Sequence, residues 1–153
     1  MNEQFLRTAM LLGEDAMERL KNAHVAVFGI GGVGGYVVEA LARAGIGHLT
    51  LIDSDTISLS NLNRQLLATH STLGMPKVEA AKARILDINP ASQVDIYPIF
   101  YTPDTADQFD FTQYDYIVDA IDTVTGKLAL VERAMAAETP ICLLYTSPSP
   151  RDS

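Results

Sequence analysis

Three glycines, a run of polar side chains and two aspartates carry the chemistry this sequence can support. Gly29, Gly31 and Gly34 stand in the spacing Gly-x-Gly-x-x-Gly, after a short apolar run (Val25 to Phe28) and before an amphipathic segment (Tyr36 to Ala44). In a strand–turn–helix, such glycines have separate tasks: one permits the tight turn, one lets a phosphate approach the backbone, and one allows the helix to pack closely on the strand. Phosphate then sits on the helix N-terminus, where free N–H groups and the helix dipole favour an anion. A second apolar run, His48-Leu-Thr-Leu-Ile, ends at Asp53, 19 residues past Gly34 and placed to accept hydrogen bonds from ribose hydroxyls. An ordinary strand-to-helix turn would also want small residues. Strand, helix and acid at these distances together favour nucleotide binding.

Beyond Asp53 comes a polar stretch that a plain dinucleotide fold has no need of. Asp55, Ser58, Ser60, Asn61, Asn63, Arg64 and Gln65 follow one another closely, and Lys77 lies behind Gly74-Met75-Pro76. Asn61 and Arg64 are three apart and share a face on a helical turn. An amide, a guanidinium fork and an ammonium can thus converge near the C-terminal ends of the first strands, where open α/β sheets bind ligands, and a triphosphate wants that set. A solvated loop leading into a helix with Pro76 at its first position would account for Lys77 alone. Asp119 and Asp122 close a further strand, and Asp122 could hold Mg²⁺ shared with phosphate oxygens or cap the helix that follows. Both readings stay open, as do two for Arg7, which reads first as a solvated helix charge. The single cysteine, Cys142, follows Pro140-Ile141 in an apolar run and reads as a small buried hydrophobe, not a nucleophile.

These residues need a framework of alternating strands and helices. Residues 3–22 read as one or two helices broken at Gly13, and they precede the first strand. Pro76 to Ile88 has apolar residues at helical spacing and is closed by Asn89-Pro90. Val94 to Phe100 alternates and contains Pro98, which suits an edge strand. Thr102 to Asp110 is an acidic connection with one short helix. Tyr116 to Ala120 is the fourth strand, Val124 to Ala137 a helix and Pro140 to Leu144 the fifth strand. The expected fold is α/β: a Rossmann-like, doubly wound, mainly parallel sheet with N-terminal helices and right-handed crossovers.

At 153 residues and 48% hydrophobic, the chain is one domain in size and can bury a real core. No apolar run reaches membrane-spanning length and the N-terminus lacks signal-peptide features, so a cytoplasmic location is expected. A net charge of -8 argues against broad non-specific nucleic-acid binding, without excluding a local basic site.

As an ordered set, Gly29-Ile-Gly-Gly-Val-Gly, Leu51-Ile-Asp-Ser-Asp, Leu59-Ser-Asn-Leu-Asn-Arg-Gln, Gly74-Met-Pro-Lys and Asp119-Ala-Ile-Asp resemble the ThiF-type adenylating superfamily, relatives of ubiquitin-activating enzymes. The resemblance runs from about Arg7 to Cys142. It implies ATP held at Gly29, Gly31, Gly32, Gly34, Asp53 and Asp55, phosphates held by Asn61, Arg64 and Lys77, and Mg²⁺ on Asp122. It also implies that Arg7 reaches the nucleotide of a second subunit in a homodimer, and that Arg64, Lys77 and Arg7 are the catalytic cations. Within the superfamily, Thr8-Ala-Met-Leu-Leu-Gly, Phe100-Tyr-Thr-Pro and Val118-Asp-Ala-Ile-Asp-Thr-Val-Thr-Gly-Lys resemble the tRNA threonylcarbamoyladenosine dehydratases.

That resemblance implies ATP-dependent adenylation of a carboxylate on a tRNA-borne base. The neighbouring possibility is adenylation of the C-terminal glycine of a ubiquitin-like sulfur carrier, with a sulfur-carrier or sulfur-acceptor protein as partner. Two readings from other classes are an NAD-dependent oxidoreductase, which leaves Asn61, Arg64, Lys77 and Asp122 without work, and a nucleotide-binding module without chemistry. Relatives of this type are longer. Residues 1–142 are therefore expected to form the nucleotide-binding domain, and residues 143–153, rich in Ser and Pro at the end, a non-native or disordered tail.

Overall fold

The computed structural model describes residues 3–144. After a short 3₁₀ turn come helices α1 (Leu6–Leu12) and α2 (Glu14–Asn22), separated at Gly13. Strand β1 (His24–Phe28) leads through the glycine turn into α3 (Gly32–Ala44) and then β2 (His48–Ile52). A long connection with two short 3₁₀ turns reaches α4 (Lys77–Ile88) and β3 (Gln93–Tyr97). Two more 3₁₀ turns precede β4 (Tyr116–Asp119), α5 (Val124–Ala136) and β5 (Ile141–Leu143). The five strands form one parallel sheet in the order β3-β2-β1-β4-β5. The expected doubly wound α/β sheet is present, with β3 at an edge.

Strand alternation sends side chains to two cores. Val25 and Val27 of β1, with Leu49 and Leu51 of β2, pack among Val38 and Ala42 of α3 and Val78, Ala81 and Ile85 of α4. Their neighbours Ala26, Phe28, Ile52 and Ile117 turn to the other face, where Leu130 and Ala134 of α5 meet an aromatic group. Phe28 lies at its centre, with ring centroids 5.0 Å from Tyr101, 5.7 Å from Phe109 and 5.8 Å from Phe111. With both faces covered, the central strands are continuous hydrophobic runs, as parallel strands must be.

Several boundaries differ from the sequence reading for identifiable reasons. Helix α3 begins at Gly32 and not Tyr36, because close packing of Gly34 on the Gly29 backbone and of Gly35 beside Leu67 overrides their poor helix propensity. Strand β3 stops at Tyr97, before Pro98, which cannot donate to the ladder. Pro76 caps α4 instead of opening it. Leu143 still pairs with Asp119, and the Leu144 N–H donates to the Asp119 carbonyl at 2.8 Å, so the sheet carries on past Cys142. Residues 145–153 of the expected tail lie outside the described residues. Among the described residues, no helix is long and apolar enough to cross a membrane.

Candidate nucleotide site

The glycine turn is built by two contacts that no side chain could survive. Gly29 has φ +96°, and a Cβ there would lie 2.5 Å from the Ala120 carbonyl oxygen. A Cβ on Gly34 would lie 1.8 Å from the Gly29 carbonyl oxygen, so α3 rests directly on the turn. Gly31 and Gly32 are different: a Cβ at either would meet no atom within 4 Å. The protein's own packing does not demand glycine there. What remains is an open rim at the start of a 13-residue helix, whose first N–H groups attract anions.

Asp53 leaves β2 beside this turn and is tied to it. One carboxylate oxygen accepts from the Ile30 N–H at 2.6 Å, and the other from the Asp55 N–H at 2.7 Å. Burial pushes its pKa up, and the two backbone N–H groups oppose that rise, as does the Lys77 charge. Each oxygen retains acceptor capacity, so ribose recognition and bracing of the turn are compatible roles. Asp55, largely exposed, continues the link: its carbonyl accepts from the Lys77 N–H at 2.9 Å, and its carboxylate stands 3.7 Å from the Lys77 ammonium. The Lys77 side chain is only 7% exposed, unusual for lysine, and it sits at the first turn of α4.

Asn61 is also buried, held by a reciprocal cap in which its Oδ1 accepts from the Ser58 N–H (2.9 Å) and hydroxyl (3.0 Å). Its side-chain amide nitrogen has no partner among the described residues, and remains a donor for a ligand. The Arg64 N–H reaches the Asn61 carbonyl at 3.3 Å, so the two residues do share a turn. The exposed Arg64 guanidinium meanwhile folds onto the Ser60 carbonyl and Asn63 Oδ1, at 3.1 and 3.0 Å. No carboxylate pairs with it among the described residues. Gly29, Asp53, Asp55 and Lys77 are thus joined by direct bonds or single intervening residues, with Asn61 and Arg64 on the connection between Asp55 and Lys77.

Asp122 follows β4 and is exposed, without a hydrogen bond or ion pair among the described residues. It is not the helix cap: Thr123 is, its hydroxyl accepting from the Gly126 N–H at 3.2 Å. The helix-cap explanation for Asp122 therefore falls away. Arg7 lies exposed on α1, outside the bonded cluster, with no acidic partner among the described residues.

In the sequence, Asp119 and Lys127 stand only within the motifs that begin at Asp119 and Val118, with no role of their own. Asp119 is fully buried; its Oδ1 accepts from the Ile121 N–H (2.9 Å) and the Lys127 ammonium (3.1 Å), which also donates to the Leu144 carbonyl at 3.1 Å. This ion pair shapes the turn that carries Asp122. Eight residues separate the partners, a spacing that no helix rule flags.

The profile of the ThiF family matches residues 5–146. The chain is 45% identical over 141 residues to a tRNA threonylcarbamoyladenosine dehydratase of Bacillus subtilis, covering 92% of this chain and 56% of that protein. It is 35% identical over 130 residues to a sulfur carrier protein adenylyltransferase of Thermus thermophilus, covering 85% of this chain and 48% of that one. The crystal structure of the E. coli tRNA N6-threonylcarbamoyladenosine dehydratase in complex with ATP superposes with a TM-score of 0.89 at 40% identity, covering 95% of this chain and 62% of that one. The chain spans about half the length of the curated relatives it matches.

Proposed function

The chain belongs to the ThiF family, and from that premise we propose that it carries the nucleotide site of an enzyme that adenylates a carboxylate with ATP. The observation that carries this reading is the bonded path from the glycine turn through Asp53 and Asp55 to Lys77. It brings an almost buried ammonium to the strand ends that hold an open helix N-terminus, an arrangement that suits a polyphosphate. Gly32 and Asp53 would hold the nucleoside and its phosphates, and Asn61, Arg64 and Lys77 the phosphate oxygens. Arg64 has no acid to release among the described residues, so recruiting it requires only the exchange of two hydrogen bonds to uncharged oxygens.

In this reaction the substrate carboxylate attacks the α-phosphorus, the bond to the β-phosphate breaks, and pyrophosphate leaves with the electron pair. Cations fixed in place stabilise the charge that shifts along the phosphates without reorganising at the moment of transfer. Asp122 offers an exposed oxygen donor, unpartnered among the described residues and of the hard type that Mg²⁺ prefers; a bound ion would neutralise phosphate charge there. Arg7 would act on the nucleotide of a second subunit, in a homodimer.

The similarity to a tRNA threonylcarbamoyladenosine dehydratase supports one acceptor above others: the threonine carboxylate of that modified base in tRNA. Once adenylated, the acyl group is attacked from within the same base. AMP leaves with the former carboxylate oxygen and a ring closes, with net loss of water and no protein nucleophile. A -8 chain offers no broad cationic surface, so tRNA would be gripped mainly outside these residues. The similarity to a sulfur carrier protein adenylyltransferase supports the second reading, with the C-terminal glycine of a ubiquitin-like protein as acceptor. In either case Arg64→Ala or Lys77→Ala should depress pyrophosphate release more than ATP affinity, because charge redistributes in the transition state. Turnover within a factor of about three of the parent in both variants, less than 1 kcal/mol of barrier, would sink the proposal.

A further inference from the structure

The opposite end of the sheet holds a second cluster of side chains. His24 and His48 begin β1 and β2 side by side in register, and one step along the same face the register sets Thr50 beside Asp95. The imidazoles stack, with centroids 3.5 Å apart and planes 7° from parallel. His24 Nε2 lies 2.6 Å from the Thr50 hydroxyl, and His48 Nε2 lies 2.5 Å from Asp95 Oδ2. The Tyr114 ring covers one side of His24 edge-on at 5.0 Å. Asp115 adds a second carboxylate, which accepts from the His24 backbone N–H at 2.7 Å. All three ligating residues are half-buried, so the cluster is sheltered yet reachable from solvent.

We propose that His24, His48 and Asp95 form a binding site for a borderline divalent transition metal, best suited to Zn²⁺. Two imidazoles and a carboxylate are the donor set that zinc takes when it keeps a fourth position for water. One ligand atom from each residue lies within 4.8 Å of the other two, whereas two ligands on one tetrahedral zinc stand about 3.3 Å apart, given bonds of about 2.0 Å. No pair of ligand atoms therefore has to close by more than about 1.5 Å, and His48 Nε2 and Asp95 Oδ2, now 2.5 Å apart, have to open slightly. Parallel rings cannot both aim a lone pair at one ion, so binding must fan the stack open. The His48 ring proton that faces Asp95 would shift to Nδ1 by tautomer exchange, which frees Nε2 and the carboxylate for the metal with no change in the ring's proton count, and His24 Nε2 would exchange the Thr50 hydroxyl for it. Bound metal would clamp the leading ends of β1, β2 and β3, far from the glycine turn.

The test is zinc titration of the untagged, chelator-treated protein by calorimetry. One equivalent should bind, with a rise in melting temperature. His48→Gln and, separately, Asp95→Asn should each weaken binding at least tenfold and abolish the rise. His70→Gln/Cys142→Ser, which removes the remaining histidine and the only cysteine, should leave both intact. Co²⁺ absorption supplies a second readout: an intense visible band marks four-coordination in the parent and should vanish in Asp95→Asn. Asp95, 42% exposed in its side chain, keeps the test usable should His48→Gln fail to fold. Unchanged zinc affinity in Asp95→Asn, or loss of binding in the His70/Cys142 variant, overturns the proposal.

Discussion

At the scale of single residues, the four glycines of the turn divide by what surrounds them, and the division separates folding from binding. Adding one methyl group at Gly34 drives it into the Gly29 backbone carbonyl, at 1.8 Å, and backbone on both sides leaves no side chain to yield. Gly34→Ala should therefore cost about 3 kcal/mol or more, the upper range of overpacking, read as a lower urea midpoint. Gly32→Ala meets nothing within 4 Å, and the lower chain entropy of alanine should hold stability level or raise it by up to about 1 kcal/mol. The same variant should nonetheless weaken ATP binding at least tenfold, because the methyl group occupies the rim that a phosphate must approach. Full ATP affinity in a folded Gly32→Ala protein would move the nucleotide off this turn. The glycines and Asp53 were legible from sequence because their spacing is the message. The bond from Ile30 to Asp53 was not, since it spans 23 residues and follows only from the parallel register of β1 and β2.

At the scale of elements, α3 and α4 are joined by one acid and two arginines. Glu39 of α3 accepts from Arg43 at 2.9 Å, four residues on, and makes a two-point contact with Arg84 of α4. Hydrogen bonding from Arg84, against a smaller opposing effect of burial, lowers the Glu39 pKa below its ordinary value of 4.5. A carboxylate depressed in the folded state binds its proton less readily there than in the unfolded chain. Its stabilisation is present above the unfolded value of 4.5 and is lost as pH falls through the lower folded value. With Arg84 partly exposed, Glu39→Gln should cost about 0.2 to 1 kcal/mol at pH 7. Urea midpoints should converge between parent and variant as pH drops below 4.5; a constant gap would mean that packing, not charge, carries the effect. The periodicity of α4 was readable, because Val78, Ala81 and Ile85 recur at helical spacing. The start of α3 was not, because two glycines inside a helix point away from helix by propensity and are overruled by close packing on the Gly29 turn and beside Leu67.

At the scale of the whole molecule, the bonded cluster around the glycine turn and helix α1 stand apart in the described residues. Helix α1 stands outside the sheet, with Met10 and Leu11 78% and 87% exposed and Arg7 exposed between them and the chain start. Sequence placed this helix outside the sheet, because it precedes the first strand. The exposure of Met10 and Leu11 was not legible there, because apolar residues at helical spacing read alike whether the face is covered or open. Arg7 in trans follows from the proposed homodimer: a guanidinium pairs two phosphate oxygens at fixed geometry and keeps its charge at any working pH. Arg7→Ala and Asp122→Ala proteins should each be inactive alone. Mixed, they should form heterodimers in which one site carries both defects and the other neither. With equal amounts and free exchange, about half the dimers are mixed, each with one intact site, so about a quarter of all sites should turn over. Pyrophosphate release from the mixture, with exchange verified by native mass spectrometry, measures that fraction. If exchange is complete and release stays at the level of the separate variants, Arg7 serves its own subunit or only the solvent, and the two nucleotide sites are independent.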